Sequence, residues 1–549
     1  MAFGDQKAER RQAVEGYFSL LWENEESYAE WRRNLCVRDK GYIADLNLKY
    51  VYKEICRAGR FGERYGFEEI FLHPCARVST VVFRQKIMKQ LYEDSFLYEM
   101  ALEFVSCIAL MQKRMEALDS IKDEKKKMIS TLQIRYEFMD ALERIYEKTS
   151  GYIREKEETF DGTPLAEGVQ KLGSFISGYW VVSEKAELSN FLSVLGKNMP
   201  CSVVLNKDRN QHCRSVVIDP KGTSECGYTE RLMECARPFL GEYDFKVGVY
   251  QNTDITCLDK RIQNYICRNL PGIDCELENL YEKYGNNNLA RFFPMAVEFV
   301  FYLSCIRFVR EYEKAGFWFS IPTCAGKQDY EVRDAYDMTL GINLYQSGKG
   351  CRVVSNDYQF GEKSRVFILT GANQGGKTTF IRSIGLIQCL AQIGMFVPCR
   401  KASLGVAGQI HTHFSREDER GAAVGRFEQE LQRVHEILES LWAEDMVLLN
   451  ETFTSTQRST AVILLRRLLL EMDHRQCYGG LVTHFYEVYD GLEESVVFSL
   501  TTEEVGEGKE RTYKIREGES GRYSHARDIA AKCGVTYEEL VAALPDESL

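Results

Sequence analysis

The chain has 549 residues, 44% of them apolar, which is enough for several domains that each bury a core. Its formal net charge of −11 excludes a globally basic protein, although a local basic surface remains compatible with it. The 18 cysteines form no C-x-x-C pair and no zinc-finger spacing, so we expect reduced, mostly buried thiols in a cytoplasmic protein.

The sequence predicts no targeting segment and no membrane partner. The N-terminal residues lack the apolar stretch of a signal peptide. The most apolar segment, residues 292–309, is interrupted by Glu298 and Arg307 and is too short and too charged to span a bilayer. We therefore predict a buried core helix at this position.

The N-terminal part of the chain has helical spacing over residues 1–60 and again over residues 95–160, with a turn at His73-Pro74 between them. The predicted core residues of this part are Trp22, Trp31, Leu35 and Tyr42. The charged run KDEKKK at residues 122–127 is either a solvated helix face, which its mixed charge favours, or a contact to DNA.

The middle of the chain shows short runs of strand type and then a return to helical spacing. The runs are Ser202–Leu205, Ser215–Ile218 and Phe245–Tyr250. The basic side chains around the first two are Lys197, Lys207, Arg209, His212 and Arg214. They are either phosphate contacts or ordinary surface charges. Helical spacing resumes from Leu277 to Glu313, and from Tyr330 onward the pattern alternates between strand and helix, which is typical of an α/β domain.

Residues 366–379, VFILTGANQGGKTT, match the P-loop pattern G-x-x-x-x-G-K-[ST] between a predicted buried strand and a predicted helix. In this motif the glycines let backbone N–H groups surround phosphate oxygens, while Lys377 reaches the outer phosphates and the Thr378 hydroxyl ligates Mg²⁺. The chain is therefore predicted to bind a nucleoside triphosphate with Mg²⁺. The predicted binding residues are Gly371, Ala372, Asn373, Gln374, Gly375, Gly376, Lys377, Thr378 and Thr379.

Two further predicted strands end in residues suited to nucleotide hydrolysis. Met446–Leu449 is followed by Asn450 and Glu451, where an aspartate usually holds the metal and a glutamate orients water. An amide at Asn450 keeps an oxygen but lacks the charge, so we expect weaker metal binding and slower turnover. Glu451 remains as the general base. His484, after the strand Gly480–Thr483, is either a sensor of the γ-phosphate or a structural histidine.

Residues 370–399 resemble the nucleotide-binding core of the MutS DNA mismatch repair family. Its P-loop signature TGPNMGGKST is followed by a helix and by A-x-I-G-x-F-V-P. The matching positions of that last segment are Ala391, Ile393, Gly394, Phe396, Val397 and Pro398. Further on, residues 448–457 resemble D-E-x-G-R-G-T-S, residues 482–488 resemble A-T-H-Y-x-E-L, and residues 513–535 resemble the closing hairpin and helix. Residues 74–94 are weakly similar to the family's helical core.

The chain also departs from the family pattern. The helical-core similarity begins near residues 35–75, so we expect the N-terminal mismatch-reading domain to be missing. Asn450 replaces the family's aspartate, and Gly425, Arg426 and Phe427 replace S-T-F in the loop that reaches the partner's γ-phosphate. Arg426 is then either an arginine finger acting in trans or an exposed arginine near the interface. Val353 stands where the family stacks adenine on an aromatic ring, which makes adenine selectivity less certain.

The resemblance implies a multidomain fold: a mainly α-helical core and lever region with a small clamp-like α/β insertion, then a C-terminal α/β P-loop ATPase domain of ABC type. We place the helical core and lever at residues 1–184 and the insertion at 185–275. A helical return follows at 276–329, and the ATPase and dimerisation domain is placed at 330–549. No nuclease module is expected after residue 535.

The resemblance also implies a function: an ATP-dependent, MutS-type DNA-binding protein whose homodimer closes through its ATPase domains. Irregular or branched double-stranded DNA is preferred over single mismatches in this hypothesis. The alternatives are mismatch repair proper, with mismatches read in another way, and a nucleotide-switched scaffold without strong ATPase activity. ATP and Mg²⁺ are the implied cofactors, Thr378 and Asn450 the implied metal ligands, and Glu451, His484 and Lys377 the implied catalytic residues.

Overall fold

A computed structural model of the chain describes most of it. The described residues are 19–37, 40–61, 65–176, 179–197, 202–207, 213–219, 273–285, 292–326, 330–361, 364–371, 375–415, 425–493, 495–505 and 510–518. The chain divides into two compact units. The first comprises Met1–Leu102, Lys156–Gly168 and Pro294–Leu549, and the second comprises Glu103–Glu155 and Val169–Phe293. The predicted domain boundaries remain predictions.

Helices dominate the described part before residue 320. They are α1 (Glu25–Val37), α2 (Gly41–Asp45), α3 (Leu48–Gly59), α4 (Glu68–Leu72), α5 (Val78–Glu93), α6 (Ser95–Leu118), α7 (Glu124–Glu155), α8 (Glu157–Phe160), α9 (Pro164–Ile176), α10 (Tyr179–Lys197), α11 (Ile273–Tyr284) and α12 (Phe293–Lys314). The strands among them are β1 (Ser202–Lys207) and β2 (Cys213–Asp219), which pair antiparallel.

Strands and helices alternate after residue 320. The elements are β3 (Thr323–Ala325), β4 (Tyr330–Ala335), α13 (Met338–Gln346), β5 (Asn356–Phe360), β6 (Val366–Thr370), α14 (Lys377–Gln392), β7 (Lys401–Gly405), β8 (Ile410–Phe414), α15 (Arg426–Ser440), β9 (Met446–Asn450), α16 (Arg458–His474), β10 (Tyr478–Val482), β11 (Val497–Val505) and β12 (Glu510–Glu517). The combination of a helical part with mixed sheets confirms the fold class in outline.

The helical region of the first unit is built around aromatic and aliphatic side chains that the sequence analysis predicted as core. Trp22, Trp31, Leu35 and Tyr42 are all buried, and the Trp22 and Trp31 ring centroids lie 4.8 Å apart. Helix α12 is buried along most of its length, which confirms the predicted core helix. Its Glu298 is accommodated because its carboxylate accepts hydrogen bonds from the Ser19 hydroxyl and the Leu20 N–H.

Helix α6 is long and apolar enough, by length and composition alone, to cross a membrane. A single helix of this kind is a weak indication, since core helices of globular proteins pass the same test. Its buried residues recur every three or four positions, as Leu97, Ala101, Phe104, Ile108 and Met111 show. This spacing is that of a helix packed along one face.

The second unit has a core of its own. Leu132 and Met139 of α7 pack with Leu188 and Phe191 of α10 and with Leu277 of α11. Within this core Arg135 donates a hydrogen bond from Nε to Glu184 Oε1 at 2.6 Å, which pairs the two buried charges. The sequence run at residues 122–127 is exposed or half-buried at the start of α7, as expected of a solvated helix face.

The larger sheet of the first unit has the strand order β12-β11-β6-β10-β9-β8. All neighbours are parallel except β11 and β12, which form an antiparallel pair. Every residue of β6, β9 and β10 is buried. These strands read as continuous apolar runs because both faces of a parallel sheet are covered.

The two faces of this sheet have different covers. On one face Ile368 and Leu449 pack with Val434 of α15 and Leu465 of α16. On the other, Phe367 contacts Phe380 of α14, with ring centroids 6.3 Å apart. The smaller sheet, in the order β3-β7-β4-β5, packs against this side, where the rings of Phe360 and Phe367 stack at 5.5 Å.

The C-terminal end of α14 is joined to the helical region by hydrogen bonds. Gln392, 2% exposed, donates from Nε2 to the carbonyl oxygens of Cys75 at 2.8 Å and Ala407 at 2.9 Å. Its Oε1 accepts from Ala407 N and from Gln388 Nε2. The Gln392 carbonyl in turn accepts from Cys75 N at 3.1 Å. One side chain therefore satisfies polar groups of both regions in a dry environment.

We predict that Gln392→Leu lowers the free energy of unfolding by about 2–4 kcal/mol. The substitution leaves buried carbonyl and N–H groups without a hydrogen-bond partner, and each such group costs about 1–3 kcal/mol. Chemical denaturation followed by circular dichroism measures the effect. Gln432→Leu, on the exposed face of α15, is the matched control and should change stability by no more than about 0.5 kcal/mol. Equal losses in the two variants would contradict this account of the junction.

Candidate functional site

Three neighbouring strands of the larger sheet end level with one another. In the register of the sheet Val482 of β10 lies beside both Leu369 of β6 and Asn450 of β9. The alignment continues past the strands, since Glu451 N donates to the Val482 carbonyl at 2.9 Å and Thr483 N donates to the Leu369 carbonyl at 3.2 Å. The segments after the three strands therefore meet at one edge of the sheet, where ligands of parallel α/β sheets bind.

The predicted P-loop connects β6 to α14, which begins at Lys377. Gly371 (φ +130°) and Gly376 (φ +91°) both adopt left-handed backbone conformations, and a Cβ at Gly371 would lie 2.2 Å from Thr502 Oγ1. Gly375 is buried, whereas Thr379 is half-buried. The predicted binding residues Ala372, Asn373 and Gln374 lie outside the described residues. A side chain at Gly371 would therefore clash with Thr502, so this position requires glycine.

Lys377 lies inside the turn and is 5% exposed. Its Nζ donates to the Gly371 carbonyl at 2.8 Å. Burial lowers the pKa of Lys377 to about 8, and the Glu451 carboxylate opposes this by favouring the charged form. A desolvated ammonium group in a glycine-lined turn has a strong electrostatic affinity for anions, as phosphate binding requires.

Thr378 and Asn450 meet across the edge. The Thr378 hydroxyl donates to Asn450 Oδ1 at 3.3 Å, and Asn450 is 5% exposed. A hydroxyl and an amide oxygen are hard oxygen donors, the kind that Mg²⁺ takes in combination with substrate phosphates. Within the described part of the chain no group of three or more His, Cys, Asp or Glu side chains could hold a metal ion. The Thr378 hydroxyl and the Asn450 amide oxygen fit a Mg²⁺ ion that is shared with a nucleotide.

Glu451 and His484 form the third part of the site. His484 Nε2 lies 2.9 Å from Glu451 Oε1, and both side chains are about one-third exposed, at 33% and 36%. The hydrogen bond from His484 lowers the pKa of Glu451, although burial acts against this, and the charge of Lys377 lowers it further. Glu451 is thus held ionised, as a residue that accepts a proton from water must be.

The segment Gly425–Phe427 lies beside this edge, at the start of α15. Arg426 Nη2 donates to Ser415 Oγ at 2.6 Å, and its Nε lies 3.9 Å from Glu430 Oε1. Ser415 N in turn donates to the Asn450 carbonyl at 3.1 Å. Within one chain Arg426 therefore contacts its own strand ends, while Phe427 packs against Phe453.

Val353 is half-buried in the segment before β5. The sequence analysis missed an aromatic residue near the loop, Tyr513 of β12, which is 48% exposed. Its ring Cδ1 lies 3.6 Å from the position that a Cβ on Gly376 would occupy. The Tyr513 carbonyl accepts from Asn356 Nδ2 at 3.2 Å, which fixes the hairpin beside β5. The only signal in the sequence was a tyrosine within a predicted hairpin. The position of Tyr513 depends on how that hairpin folds back, which a local sequence pattern does not show.

The C-terminal part of the chain is similar to known proteins. The model of MutS domain V matches residues 367–543. The DNA mismatch repair protein MutS of a Synechococcus species is 32% identical over 221 residues, which are 39% of this chain and 24% of that protein. The protein of the same name from a Thermotoga species is 31% identical over 186 residues, 33% of this chain and 23% of that protein. The one from Chlorobium phaeobacteroides is 31% identical over 197 residues, with shares of 35% and 22%.

This similarity lies in the C-terminal part of the chain, and the chain covers about a quarter of the length of the curated relatives it matches, 24% for the first of them. The matched region contains the strand ends that carry Lys377, Asn450, Glu451 and His484. Residues 367–543 therefore match MutS domain V, and the C-terminal part of the chain is similar to proteins named DNA mismatch repair protein MutS.

Proposed function

We propose that this chain is an ATP-dependent DNA-binding protein of MutS type, which binds and hydrolyses ATP to switch a dimeric clamp on DNA. The observation that supports ATP chemistry is the meeting of Lys377, Thr378, Asn450 and Glu451 at one edge of the parallel sheet. The observation that supports DNA binding is the similarity to relatives named as DNA mismatch repair proteins.

In this proposal each residue at the edge has one role. Lys377 neutralises the outer phosphates, and the backbone N–H groups of residues 371–379 bind their oxygens. Glu451 orients the attacking water and takes its proton, while His484 holds the Glu451 carboxylate through the 2.9 Å contact and senses the γ-phosphate. Bound Mg²⁺ supplies neutralisation of the charge on the phosphate oxygens, and Thr378 and Asn450 are the side chains that would hold it.

Adenine has two candidate contacts, of which Tyr513 lies beside the loop and Val353 is implied by the resemblance. Val353 offers an aliphatic surface, and the exposed ring of Tyr513 next to Gly376 offers an aromatic one. A purine ring gains stacking energy on an aromatic side chain that an aliphatic one does not supply. The presence of Tyr513 therefore supports ATP as the nucleotide in spite of Val353.

The segment Gly425–Phe427 is proposed to act in trans. Arg426 is 46% exposed and carries a guanidinium group, which binds phosphate oxygens in bidentate fashion. Within the chain it donates to the neutral Ser415 hydroxyl and lies 3.9 Å from the Glu430 carboxylate, and a phosphate of the partner chain would compete with both contacts. We therefore propose a homodimer closed through the ATPase domains, with each site completed by the other chain.

The DNA that this chain would bind is double-stranded and irregular or branched. The similarity to MutS proteins covers the C-terminal part of the chain, so this part of the proposal remains the hypothesis of the sequence analysis. The basic residues around β1 and β2 belong to the part of the chain whose side chains the structure does not describe. Mismatch repair proper and a nucleotide-switched scaffold are the competing functions, and the net charge of −11 favours the scaffold modestly.

Asn450→Asp is expected to increase the affinity for Mg²⁺ and the rate of ATP turnover, because a carboxylate binds the cation more strongly than an amide oxygen. Turnover measured against Mg²⁺ concentration checks this. Glu451→Gln, one residue later, is the matched control: it should keep Mg-dependent binding of a non-hydrolysable ATP analogue but lower kcat by about 10²-fold or more. If Asn450→Asp hydrolyses ATP more slowly than the unaltered protein, the Asn450 amide does not limit turnover.

Arg426→Ala is expected to weaken ATP-driven dimerisation and to lower ATP turnover by about 10-fold or more, as loss of an arginine finger does. Analytical ultracentrifugation with a non-hydrolysable analogue and steady-state turnover measure the two effects. Arg400→Ala, an exposed arginine at the start of β7, is the control and should change neither. If Arg426→Ala behaves like the control, the trans role is wrong.

Titration of branched, mismatched and plain duplex DNA at two salt concentrations, with and without ATP, is expected to show tightest binding to branched DNA. Affinity should fall steeply with salt, because phosphate contacts release counterions. Preference for the mismatched duplex would instead support mismatch repair. If the protein binds none of the three DNAs but still binds ATP in a Mg-dependent manner, the result would support the nucleotide-switched scaffold.

A further inference from the structure

The loop that follows Glu451 has an unusual backbone. Glu451 (φ +55°) and Phe453 (φ +63°) both adopt the left-handed conformation, which is uncommon for residues other than glycine, asparagine and aspartate. Each such residue costs about 1–2 kcal/mol. A phenylalanine in this conformation therefore needs compensation from its surroundings.

Burial of the Phe453 ring supplies that compensation. The side chain is 1% exposed and belongs to the core cluster that contains Leu449 of β9 and Leu465 of α16. Full burial of a phenylalanine is worth about 1.5–3 kcal/mol, which is enough to offset a left-handed residue. The ring thus fixes the backbone two residues after Glu451.

The same loop is joined to the start of α15 by two contacts. The rings of Phe453 and Phe427 meet edge to face, with centroids 6.1 Å apart and an interplanar angle of 68°. Ser455 Oγ donates to Glu430 Oε2 at 2.7 Å, and Glu430 is itself 5% exposed. Any shift of the start of α15 is therefore transmitted to the loop that carries Glu451.

We propose that Phe453 is a positioning residue: its buried ring holds the Glu451 carboxylate in place and, through Phe427, couples Glu451 to the segment Gly425–Phe427. This inference rests on the proposed function, in which that segment contacts the partner's nucleotide and Glu451 serves the chain's own. Occupancy of one site of the dimer then adjusts the base of the other site.

The geometry explains why such a support is needed. Glu451 is fixed on the strand side by the hydrogen bond from its N–H to the Val482 carbonyl and at its carboxylate by His484. On the loop side Thr452 is buried, and its Oγ1 lies 2.9 Å from His413 Nδ1. Phe453 is the next residue along the chain. Displacement of a catalytic group by about 1 Å costs about 100-fold in rate, so movement of the loop after Glu451 would lower kcat.

Amide hydrogen exchange of the nucleotide-free protein tests the support without any turnover. The variants are Phe453→Gly, which suits the left-handed backbone but lacks the ring, and Phe453→Leu, which keeps an apolar side chain. Met472→Ala, in the same core cluster but near the end of α16, is the matched control. We expect exchange over residues 451–456 to rise about 10-fold in Phe453→Gly, to rise less in Phe453→Leu, and to stay unchanged in Met472→Ala.

Single-turnover ATP hydrolysis and nucleotide affinity form the second measurement. Phe453→Gly should lower the rate of hydrolysis about 10- to 100-fold with less than about a 3-fold change in ATP affinity, and Phe453→Leu should recover part of the rate. Phe427→Ala should act on the same step, so the double variant Phe427→Ala/Phe453→Gly should lose less than the product of the single losses. If the rate losses of the two single variants multiply in the double variant, Phe427 and Phe453 act independently and the proposed coupling is wrong.

The outcomes separate this inference from the proposed function. If the unaltered protein does not hydrolyse ATP, the function fails while hydrogen exchange still decides whether Phe453 holds the loop. If Phe453→Gly hydrolyses ATP at the unaltered rate, or if Met472→Ala loses as much, Phe453 is an ordinary core residue and the inference is overturned.

Discussion

The level ending of β6, β10 and β9 is the constraint on which the candidate site depends. Val482 aligns with both Leu369 and Asn450, so residues more than a hundred positions apart in sequence emerge at the same edge. Both faces of these strands are buried, and this burial fixes the register because a slip by one residue would exchange the two faces. The positions of Lys377, Glu451 and His484 are consequences of that register, and no local preference of their own segments determines them.

Four residues at the same edge have left-handed backbone conformations. Gly371, Gly376, Glu451 and Phe453 all have positive φ, and they lie in the segments that follow β6 and β9. At the glycines the conformation is free of steric cost, whereas at Glu451 and Phe453 it is stabilised by neighbours. In the proposed function this asymmetry meets different demands: the P-loop needs an open backbone that faces phosphate, while the loop after β9 needs a fixed side chain. The paired His484 and the buried ring of Phe453 meet the second demand.

Much of this arrangement could be predicted from the sequence. The apolar runs at residues 366–369 and 446–449 correspond to β6 and β9, and the P-loop pattern located the start of α14 at Lys377. The third strand was predicted at Gly480–Thr483 but lies at Tyr478–Val482, because glycines are poor indicators of strands. The core of the helical region was also predictable, since Trp22, Trp31 and Tyr42 were predicted as core residues and are buried.

What could not be predicted depends on contacts between distant segments. Tyr513 reaches the P-loop because β12 folds back along β11 and is bonded to Asn356, and no local pattern encodes that distance. The interaction of Phe453 with Phe427 joins two loops whose order along the chain gives no sign of proximity. The sequence analysis did place Arg426 beside a dimer interface, but only by resemblance, and its hydrogen bond to Ser415 became visible only in three dimensions. The chemistry of a short segment can thus be predicted from the sequence, whereas the contacts between distant segments cannot.

Helix α14 links the site to the rest of the first unit. Its N-terminal residue is Lys377, and its last residue, Gln392, is bonded to both Cys75 and Ala407. A helix of 16 residues is a stiff rod about 24 Å long, so its two ends move together. In the proposed function, a phosphate bound at Lys377 would therefore act through α14 on the turn before α5. Because Gln392 satisfies buried polar groups on both sides, the junction is costly to break, and the helical region must follow α14 instead of sliding past it.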